Sequence, residues 1–268
     1  VKIGTYTVSV EAAGFSKAVQ SHLALSINQD LKVDITLKPG AITQTVEVTG
    51  APPALQTENA SVGQVVNQQS INNLPLNGRN FTFLAQVVAG VNTPQPDTRG
   101  NAFNGAFSAN GLRPAQNNYL LDGIDNNSDN VDFLNGTNYV VLPPPDALSE
   151  FKVQTSDYSA QYGRAGGAIL NASIKSGTNQ IHGDVWEFFR NDKLDAADFF
   201  EDSGGLKKGE YRLNQFGGTV GGPVYIPHVY NGKDKLFFFG DVEITRRRQG
   251  SVFTNNVPTP LERGSGFT

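Results

Sequence analysis

Hydrophobic and polar residues alternate with a period of two in several parts of the chain, which is the pattern of β-strands with one buried face. Residues 6–11 alternate, residues 23–27 do so after a short loop, and residues 31–37 place Leu, Val, Ile and Leu on one face. Pro39 and Gly40 end the third segment, because proline donates no ladder hydrogen bond and glycine permits a turn. We predict that residues 1–40 are the end of a small antiparallel β-sandwich whose first strands precede residue 1.

The next stretch, residues 41–64, has little apolar surface. It holds one short β-prone segment, residues 45–49 (TVEVT), followed by Ala51-Pro52-Pro53 and polar residues as far as Val62. A polar, proline-containing sequence cannot bury enough apolar area to fold by itself, so this stretch is predicted to be a linker.

From Val65 the pattern becomes mixed. Residues 69–75 and 81–88 each favour a short helix, and residues 150–155 and 167–175 favour strands. Between about residue 92 and residue 137 the chain is rich in Asn and Gly, with one apolar island at residues 119–121. An α+β domain over residues 65–182 is predicted.

Long strands rich in aromatic residues follow in residues 183–268. Residues 184–190, the glycine-rich residues 211–224, and residues 235–245 all favour strands. In a soluble domain so many exposed aromatic residues need a second sheet to cover them, and none of comparable size remains in the sequence. We interpret these residues as transmembrane strands covered by lipid, which are short and leave only a weak hydropathy signal. The predicted fold class is β-rich α+β.

The composition of the chain excludes several classes of function. The formal net charge is −4, so no overall positive field recruits nucleic acid, and Arg246-Arg247-Arg248 is interpreted as a solvated strand end. The chain has no cysteine, which excludes disulfides, thiolate metal sites and cysteine nucleophiles. It also has no methionine, even at position 1, which predicts that the chain is a fragment of a longer protein.

No catalytic, cofactor or metal site is predicted. His22, His182 and His228 are too dispersed for metal ligands, and no G-x-S-x-G elbow is present. The glycine-rich residues 163–167 lack the Gly-Lys-Ser/Thr of a phosphate-binding loop. Four aspartates cluster with Asn residues, and oxygen-rich loops of this kind can bind Ca²⁺. An EF-hand loop needs glycine at its sixth position, however, and counting from Asp125 that position is Asn130. We therefore prefer to interpret these residues as turn formers. These aspartates are Asp122, Asp125, Asp129 and Asp132.

Several motifs, in a fixed order, resemble those of TonB-dependent outer-membrane receptors. The start of a plug domain is similar to residues 74–81 (LPLNGRNF) with Gly90-Val91, and its middle to residues 108–119 (SANGLRPAQNNY) with 121–126 (LDGIDN). The end of the plug is similar to residues 150–153 (EFKV), 162–167 (YGRAGG) and 174–179 (IKSGTN), with His182-Gly183 opening the barrel. Early barrel strands of the Oar-like branch resemble residues 214–217, 221–223 and 235–239, and residues before about 40 resemble a carboxypeptidase-regulatory-like domain.

The resemblance implies a non-enzymatic bacterial outer-membrane transporter that binds and imports a scarce nutrient, with the plug as gate and TonB as the energy-transducing partner. The plug and the N-terminal domain would lie on the periplasmic side. The TonB-box candidate consists of Thr45, Val46, Glu47, Val48 and Thr49. The plug-motif residues are Leu74, Pro75, Gly78, Arg79, Asn110, Gly111, Arg113, Tyr119, Asp122, Gly123, Gly163, Arg164, Gly166 and Gly167.

Alternatives stay open at this point. Residues 45–49 are also explained as the last strand of the N-terminal domain. The whole chain is also explained as an extracellular β-sandwich protein for adhesion or carbohydrate binding. A carboxypeptidase-like enzyme would need zinc ligands in an H-x-x-E spacing, which the sequence does not contain.

Overall fold

The computed structural model describes residues 2–40, 45–47, 60–92, 105–128, 139–164, 166–197, 199–205, 208–250 and 258–264. The chain divides into two compact units, Val1–Ser176 and Gly177–Thr268. In the described residues, no helix combines the length and the apolar character needed to cross a membrane.

The first unit begins with a sheet of three strands in the order β1-β2-β3. Strands β1 and β2 form an antiparallel pair running from Gly4 opposite Leu25 to Val10 opposite Ala18. β3 pairs in parallel with the start of β2, with Lys17 opposite Thr45. The strand predicted at residues 6–11 is therefore confirmed in position, whereas the one predicted at residues 23–27 contains only the last three residues of β2, which begins at Lys17. The bounds are Gly4–Val10 for β1, Lys17–Leu25 for β2 and Thr45–Glu47 for β3.

The third predicted strand, at residues 31–37, is wrong. Its side chains do alternate in exposure, with Leu31, Val33, Ile35 and Leu37 half-buried and the residues between them exposed. A strand also needs a ladder partner, however, and both edges of β2 are occupied, by β1 and β3. Only the end of the segment is bonded to the sheet region, where the Ser16 amide donates to the Lys38 carbonyl over 2.9 Å. The alternation of apolar and polar residues at 31–37 determines which side chains are half-buried, but it does not provide a neighbouring strand with which the segment can pair.

A five-stranded sheet forms the centre of the first unit, in the order β4-β9-β10-β7-β8. Neighbouring strands are antiparallel except β10 and β7, which are parallel with Ile169 opposite Asn118. A small separate pair, β5 and β6, lies beside it. The strands predicted at residues 150–155 and 167–175 are confirmed. The bounds are Val62–Asn67 (β4), Val91–Asn92 (β5), Ser108–Ala109 (β6), Asn118–Leu121 (β7), Ile124–Asp125 (β8), Leu148–Ser156 (β9) and Ile169–Ile174 (β10).

Helical segments pack on one face of this sheet. Helix α1 spans Gln68–Asn73, and its N-terminus is capped by the Asn67 side chain, which accepts from the Ser70 amide over 2.9 Å. The helix predicted at residues 81–88 is present as a 3₁₀ helix, Phe81–Val87. Shorter 3₁₀ turns occupy Asn77–Arg79, Pro114–Gln116 and Pro145–Ala147.

The hydrophobic core lies between these helical segments and the sheet. Phe151 and Val153, on β9, have no exposed surface. The Phe81 and Phe151 rings are 5.3 Å apart, and Tyr119 stands edge-on to Phe107 at 5.9 Å. Such aromatic pairs add to the free energy gained from burial alone. The sheet and its helical cover are therefore two layers packed around one core.

The second unit is a three-stranded antiparallel sheet in the order β11-β12-β15, which confirms the three strands predicted there. β13 and β14 form a small hairpin between β12 and β15. The strand bounds are His182–Asn191 (β11), Tyr211–Pro223 (β12), Tyr225–Ile226 (β13), Tyr230–Asn231 (β14) and Phe237–Gln249 (β15). A 3₁₀ turn at Asp192–Leu194 and two short helices, α2 and α3, complete it, with helix bounds Phe199–Ser203 and Pro260–Gly264.

The two faces of this sheet differ in chemistry. Because directly paired residues share a face, the register that joins Val185, Gly218 and Val242 defines one face of the sheet. Val185 is 90% exposed and Val242 is 58% exposed. We call this the apolar face, although it also carries Glu187 and, at one end, Asn191, Arg212, Asn214, Arg246 and Arg248. Its large apolar residues are Val185, Phe189, Phe216, Val220, Phe238, Val242 and Ile244.

The opposite face, here called the polar face, carries hydrogen-bonding side chains between the strands. The Trp186 indole donates to the Glu243 carboxylate over 3.1 Å, passing across Gly217. A Cβ on Gly217 would lie 2.8 Å from the Trp186 ring, so glycine is required for that crossing. Other members of this face are Asp184, Gln215, Thr219, Asp241 and Thr245.

Candidate functional site

The turn between β7 and β8 is bonded to the end of β10. Asp122 and Gly123 have positive φ angles, 50° and 78°. The Asp122 amide donates to the Ala172 carbonyl over 2.8 Å, and its carboxylate accepts from the Ile174 amide and the Ser173 hydroxyl, each over 3.0 Å. The Gly123 amide donates to the Asn171 side chain over 3.2 Å. The LDGIDN motif therefore forms a turn that is hydrogen-bonded to β10, the neighbouring strand in the sheet.

The glycines of the YGRAGG motif allow a close backbone approach before β10. The Gly167 amide donates to the Gln116 carbonyl over 2.9 Å. A Cβ at this position would lie 2.5 Å from the Asn117 Oδ1 atom and 2.9 Å from the Gln116 carbonyl oxygen. A Cβ added to Gly166 would make only an ordinary van der Waals contact with Leu112. A Cβ added to Gly163 would have no heavy atom within 4 Å. Gly167 is thus the glycine that the packing requires.

Asn117 connects three segments of the first unit. Its side-chain amide donates to the Phe107 carbonyl over 2.8 Å, while its Oδ1 atom accepts from the Ala168 amide over 3.0 Å. The residue is 5% exposed, so each bond is made in a water-poor setting where an unpaired group would be costly.

A second asparagine network surrounds the start of β7. Asn118 donates to the Gly163 carbonyl over 3.1 Å and accepts from the Asn127 side chain over 2.7 Å. Asn127 in turn accepts from the Tyr119 amide over 2.9 Å. The Asn127 backbone and side chain also donate to Asp125, which lowers the pKa of that carboxyl group, with a smaller contribution from Arg164, 3.5 Å away.

Arg79 occupies a left-handed backbone conformation and is mostly buried. Its φ is 55°, it is 8% exposed, and its guanidinium group pairs with the Asp146 carboxylate. The preceding Gly78 also has a positive φ, 71°. Next to it, the Asn80 side chain accepts from the Thr82 amide and donates to the Tyr139 hydroxyl, each over 2.9 Å. The LPLNGRNF motif thus combines a tight turn with a partly buried ion pair.

The remaining motif residues divide into buried and exposed ones. Tyr119 is 2% exposed, and burial is the main cause that raises its pKa far above the usual range. Asn110, with φ of 52°, donates from its side chain to the Thr155 carbonyl over 2.8 Å, and Gly111 follows it with φ of 79°. Leu74, Pro75, Gly78 and Arg113 are exposed at the surface.

The structure therefore brings Tyr119, Asp122, Gly123, Gly163, Arg164 and Gly167 together around β7 and β10, whereas Leu74, Pro75, Gly78 and Arg113 lie outside that network. The bonds fix loop conformations, and they do not align a nucleophile, a base and an acid. Among the residues that the structure describes, no three His, Cys, Asp or Glu side chains are grouped as a metal ion would require. Asp129 and Asp132 lie outside the described residues.

Sequence reasoning missed five residues that carry this network: Asn117, Asn118, Asn127, Asp146 and Asn171. A signal was present, because two of these asparagines directly precede the apolar island at residues 119–121. Both were quoted within the motif at residues 108–119 but were given no role of their own, although an asparagine amide can bridge a backbone donor and a backbone acceptor at once.

The turn at residues 26–30, here called the N-terminal turn, contacts the face of the five-stranded sheet opposite to the core. The Ile27 amide donates to the Glu150 carboxylate. The Lys152 ammonium and the Asn171 side-chain amide donate to the carbonyl and to the Oδ1 atom of Asn28, each over 2.9 Å. Burial raises the pKa of Glu150 and lowers that of Lys152. The polar face of β9 and β10 is thereby occupied.

The TonB-box candidate is described only in part. The backbone of Thr45–Glu47 forms the edge strand β3, while Val48 and Thr49 lie outside the described residues. Both interpretations of the segment made from the sequence remain predictions.

Comparison with known proteins agrees with this architecture. The family model for the TonB-dependent receptor plug domain matches residues 41–169, and the model for an outer membrane beta barrel domain matches residues 173–268. The chain is 29% identical over 248 residues to the TonB-dependent transporter Oar of Myxococcus xanthus, covering 88% of the chain and 21% of that protein. The chain thus spans about a fifth of the length of this curated relative.

Solved structures similar to the chain include a siderophore receptor and an outer membrane transporter. The siderophore receptor PirA from Acinetobacter baumannii aligns with a TM-score of 0.47 and 25% identity over 63% of this chain and 23% of that chain. The outer membrane transporter YddB from Escherichia coli aligns with a TM-score of 0.43 and 17% identity over 60% of this chain and 25% of that chain.

A plug domain followed by strands of an outer-membrane barrel defines a class of gated outer-membrane receptor. The chain belongs to the TonB-dependent receptors, as its motifs predicted, and it is a bacterial outer-membrane protein. The predicted carboxypeptidase-regulatory-like domain at residues 1–40 stays a prediction.

Proposed function

We propose that the chain is the plug-bearing part of a TonB-coupled importer, in which the plug gates the passage of a scarce nutrient through the barrel. The observation that carries this proposal is the succession of a densely hydrogen-bonded plug and a sheet with one apolar and one polar face. A gate and a wall are the two parts that such an importer needs.

The second unit has the chemistry of a wall. Apolar side chains face lipid on one side of a transmembrane barrel, and polar side chains face the lumen on the other. Val185 and Val242 on the apolar face and the Trp186–Glu243 hydrogen bond on the polar face fit that division. In the full receptor the open edges of β11 and β15 must be paired, because unpaired backbone groups in lipid are costly.

The first unit has the construction of a gate. Its motif residues hold turns at the two ends of β10: residues 163–167 lie before its start, and Asp122-Gly123 bonds to its end. These bonds keep the plug folded as one body at rest. Opening by TonB requires force to break part of this network, so the rate of opening is a forced-unfolding rate rather than an equilibrium property.

TonB is the proposed partner, and Thr45 to Thr49 is the proposed contact. A short β-prone segment can add a strand to the sheet edge of another protein through main-chain hydrogen bonds. β3 lies at the edge of its sheet, and no described strand pairs with its other side. A strand from TonB therefore has a place to pair without first removing β3 from β2.

The test replaces Val46 or Val48 by proline in the full-length receptor and measures energised uptake and surface binding of the nutrient side by side. Proline removes a main-chain donor, so uptake should fall to background, while surface binding should stay at the level of the unaltered receptor. The matched control is Glu47→Gln, which leaves the main chain intact and should retain most of the uptake.

Two results would count against the proposal. Normal uptake by both proline variants would show that the TonB contact lies elsewhere and that β3 is only a strand of the N-terminal sheet. Loss of surface binding together with uptake would show that the segment supports the fold of the receptor rather than its coupling.

A further inference from the structure

The N-terminal turn joins the N-terminal sheet to the plug by hydrogen bonds. It follows β2 directly, and its backbone is bonded to the Glu150 and Lys152 side chains of β9. The turn also has a bond of its own, because the Ser26 amide donates to the Gln29 side chain over 2.9 Å. Its shape is therefore partly fixed by bonds within the turn, so that it can dock on β9 and leave it without refolding.

Asn171 on β10 connects this contact to a turn of the plug. The Oδ1 atom of Asn171 accepts from the Gly123 amide over 3.2 Å, and its Nδ2 atom donates to the Asn28 Oδ1 atom over 2.9 Å. Asn171 is 4% exposed, so water is poorly placed to replace either bond. Because one planar amide makes both bonds, a shift of the Asp122-Gly123 turn changes the orientation of the group that holds Asn28.

The docked contact also has unfavourable features. Asn28 has a left-handed backbone conformation, with φ of 52°. Its Nδ2 atom is buried and has no hydrogen-bond partner among the described residues, which is costly because a donor has been taken out of water. Burial also raises the pKa of Glu150 and lowers that of Lys152, so the contact partly removes two charged groups from water. Undocking would restore the hydration of these groups and offset part of the loss of the hydrogen bonds.

We propose that the N-terminal turn is a releasable latch between the N-terminal sheet and the plug, and that Asn171 couples its release to the Asp122-Gly123 turn. The bonds to Glu150, Lys152 and Asn171 hold the latch closed, whereas the backbone conformation and the unpaired amide of Asn28 favour its opening. The sheet of the plug stays paired when the latch opens, because side chains and not the strand ladders of β9 and β10 make the latch bonds.

The latch determines which part of the plug receives a pull on β3, a consequence that rests on the proposed function, in which TonB binds β3. While the latch is closed, β3 is connected to β9 and β10 through β2 and the N-terminal turn. Once the latch is open, the connection runs along residues 48–61 to the edge strand β4. These residues can span at most about 50 Å, so the N-terminal sheet gains a wide range of positions.

Hydrogen exchange of the full-length receptor, resolved to single amides by mass spectrometry, tests the latch. In the unaltered receptor the Ile27 amide, which is bonded to Glu150, should exchange at least tenfold faster than the amides of β10, because the latch opens while the sheet stays paired. Asn171→Leu replaces the amide by an apolar group of similar size and removes both of its bonds. The Ile27 and Gly123 amides should then each exchange about tenfold faster than in the unaltered receptor.

The matched control for this variant is Asn126→Leu. It makes the same chemical change three residues after Gly123, at an asparagine whose side chain is bonded to the Val141 backbone over 2.8 Å in both directions. Exchange of the Ile27 amide should be the same in Asn126→Leu as in the unaltered receptor.

Asn28→Gly tests the coupling from the other side of the contact. Glycine tolerates the left-handed backbone and removes both the unpaired amide and the bond to Asn171. Asn171 is then held by fewer bonds, so the Gly123 amide should exchange several-fold faster. A role of Asn28 confined to its own turn would not change that amide, because Gly123 is bonded to Asn171.

Equal exchange of the Ile27 amide and the β10 amides in the unaltered receptor would overturn the latch, because the turn would then open only together with the plug. An unchanged Gly123 amide in Asn28→Gly, or an Ile27 amide accelerated as much by Asn126→Leu as by Asn171→Leu, would overturn the coupling through Asn171. The proposed TonB contact fails separately: normal uptake by the proline variants would refute that contact and leave the expected exchange rates unchanged.

Discussion

At the scale of single residues, Gly167 is a position where the plug has no space for a side chain. An alanine there would place its Cβ 2.5 Å from Asn117 Oδ1 and 2.9 Å from the Gln116 carbonyl oxygen, and the latter is backbone. Forcing atoms into a packed site costs about 1–3 kcal/mol. We predict that Gly167→Ala weakens the Asn117 network, so hydrogen exchange in β7 and β10 of the full-length receptor should become roughly ten times faster.

Gly163→Ala is the matched control for Gly167→Ala. It makes the same change in the same motif, where no heavy atom lies within 4 Å of the added Cβ. Its effect should stay within about 0.5 kcal/mol. If both variants exchange alike, close packing at Gly167 is not what fixes this segment.

The sequence motifs identified these glycines but could not rank them. All three glycines of the YGRAGG motif, Gly163, Gly166 and Gly167, look equivalent in the sequence. In the structure, Gly167 is distinguished by the Gln116 backbone, which lies too close to leave room for a Cβ. The same limit applies to Arg79, whose partner Asp146 lies 67 residues further along the chain. Local patterns predict a turn or a charge, whereas a partner so distant in sequence is set by the tertiary fold.

At the scale of elements, strand positions were predictable and strand partners were not. The aromatic and glycine-rich composition of residues 183–268 located β11, β12 and β15. Residues 31–37 alternate clearly but pair with nothing in the described residues, since β1 and β3 occupy β2. Likewise, nothing in the sequence indicated that the N-terminal turn would bond to β9 and β10.

The contact of the N-terminal turn leads to a prediction about its stability. Lys152→Met keeps the aliphatic stem but removes the ammonium group that donates to the Asn28 carbonyl. A hydrogen bond from a charged group contributes about 1.5–3 kcal/mol, so hydrogen exchange in β1, β2 and the N-terminal turn should accelerate roughly tenfold or more. Exchange in Phe81–Val87, on the other face of the sheet, should not change.

Lys32→Met is the control for this change. Its side chain is 57% exposed and lies 3.6 Å from Asp34, and surface ion pairs contribute little. Unchanged exchange of the N-terminal sheet in Lys152→Met would show that the bonds to Glu150 and Asn171 alone hold the turn.

At the scale of the whole molecule, the chain combines a plug fixed by polar networks with a sheet that leaves large apolar side chains exposed. Val185, Phe189 and Val242 are each more than half exposed on the apolar face. In water such a surface promotes association, whereas lipid covers it without further protein. The contrast between the two faces of this sheet is therefore the physical property that an outer-membrane location explains.

That explanation predicts opposite outcomes for an arginine placed on the two faces of β15. Val242→Arg puts a charge near the middle of the apolar face, where burial in the bilayer costs about 2–4 kcal/mol. Thr245→Arg puts the same side chain on the polar face, where water in the lumen can solvate it. In the full-length receptor, the amount of folded, heat-modifiable protein in outer-membrane fractions should fall several-fold for Val242→Arg and stay near normal for Thr245→Arg. Equal amounts of the two variants would mean that Val242 does not lie in the hydrocarbon region of a bilayer, because burial of an unpaired charge there is costly.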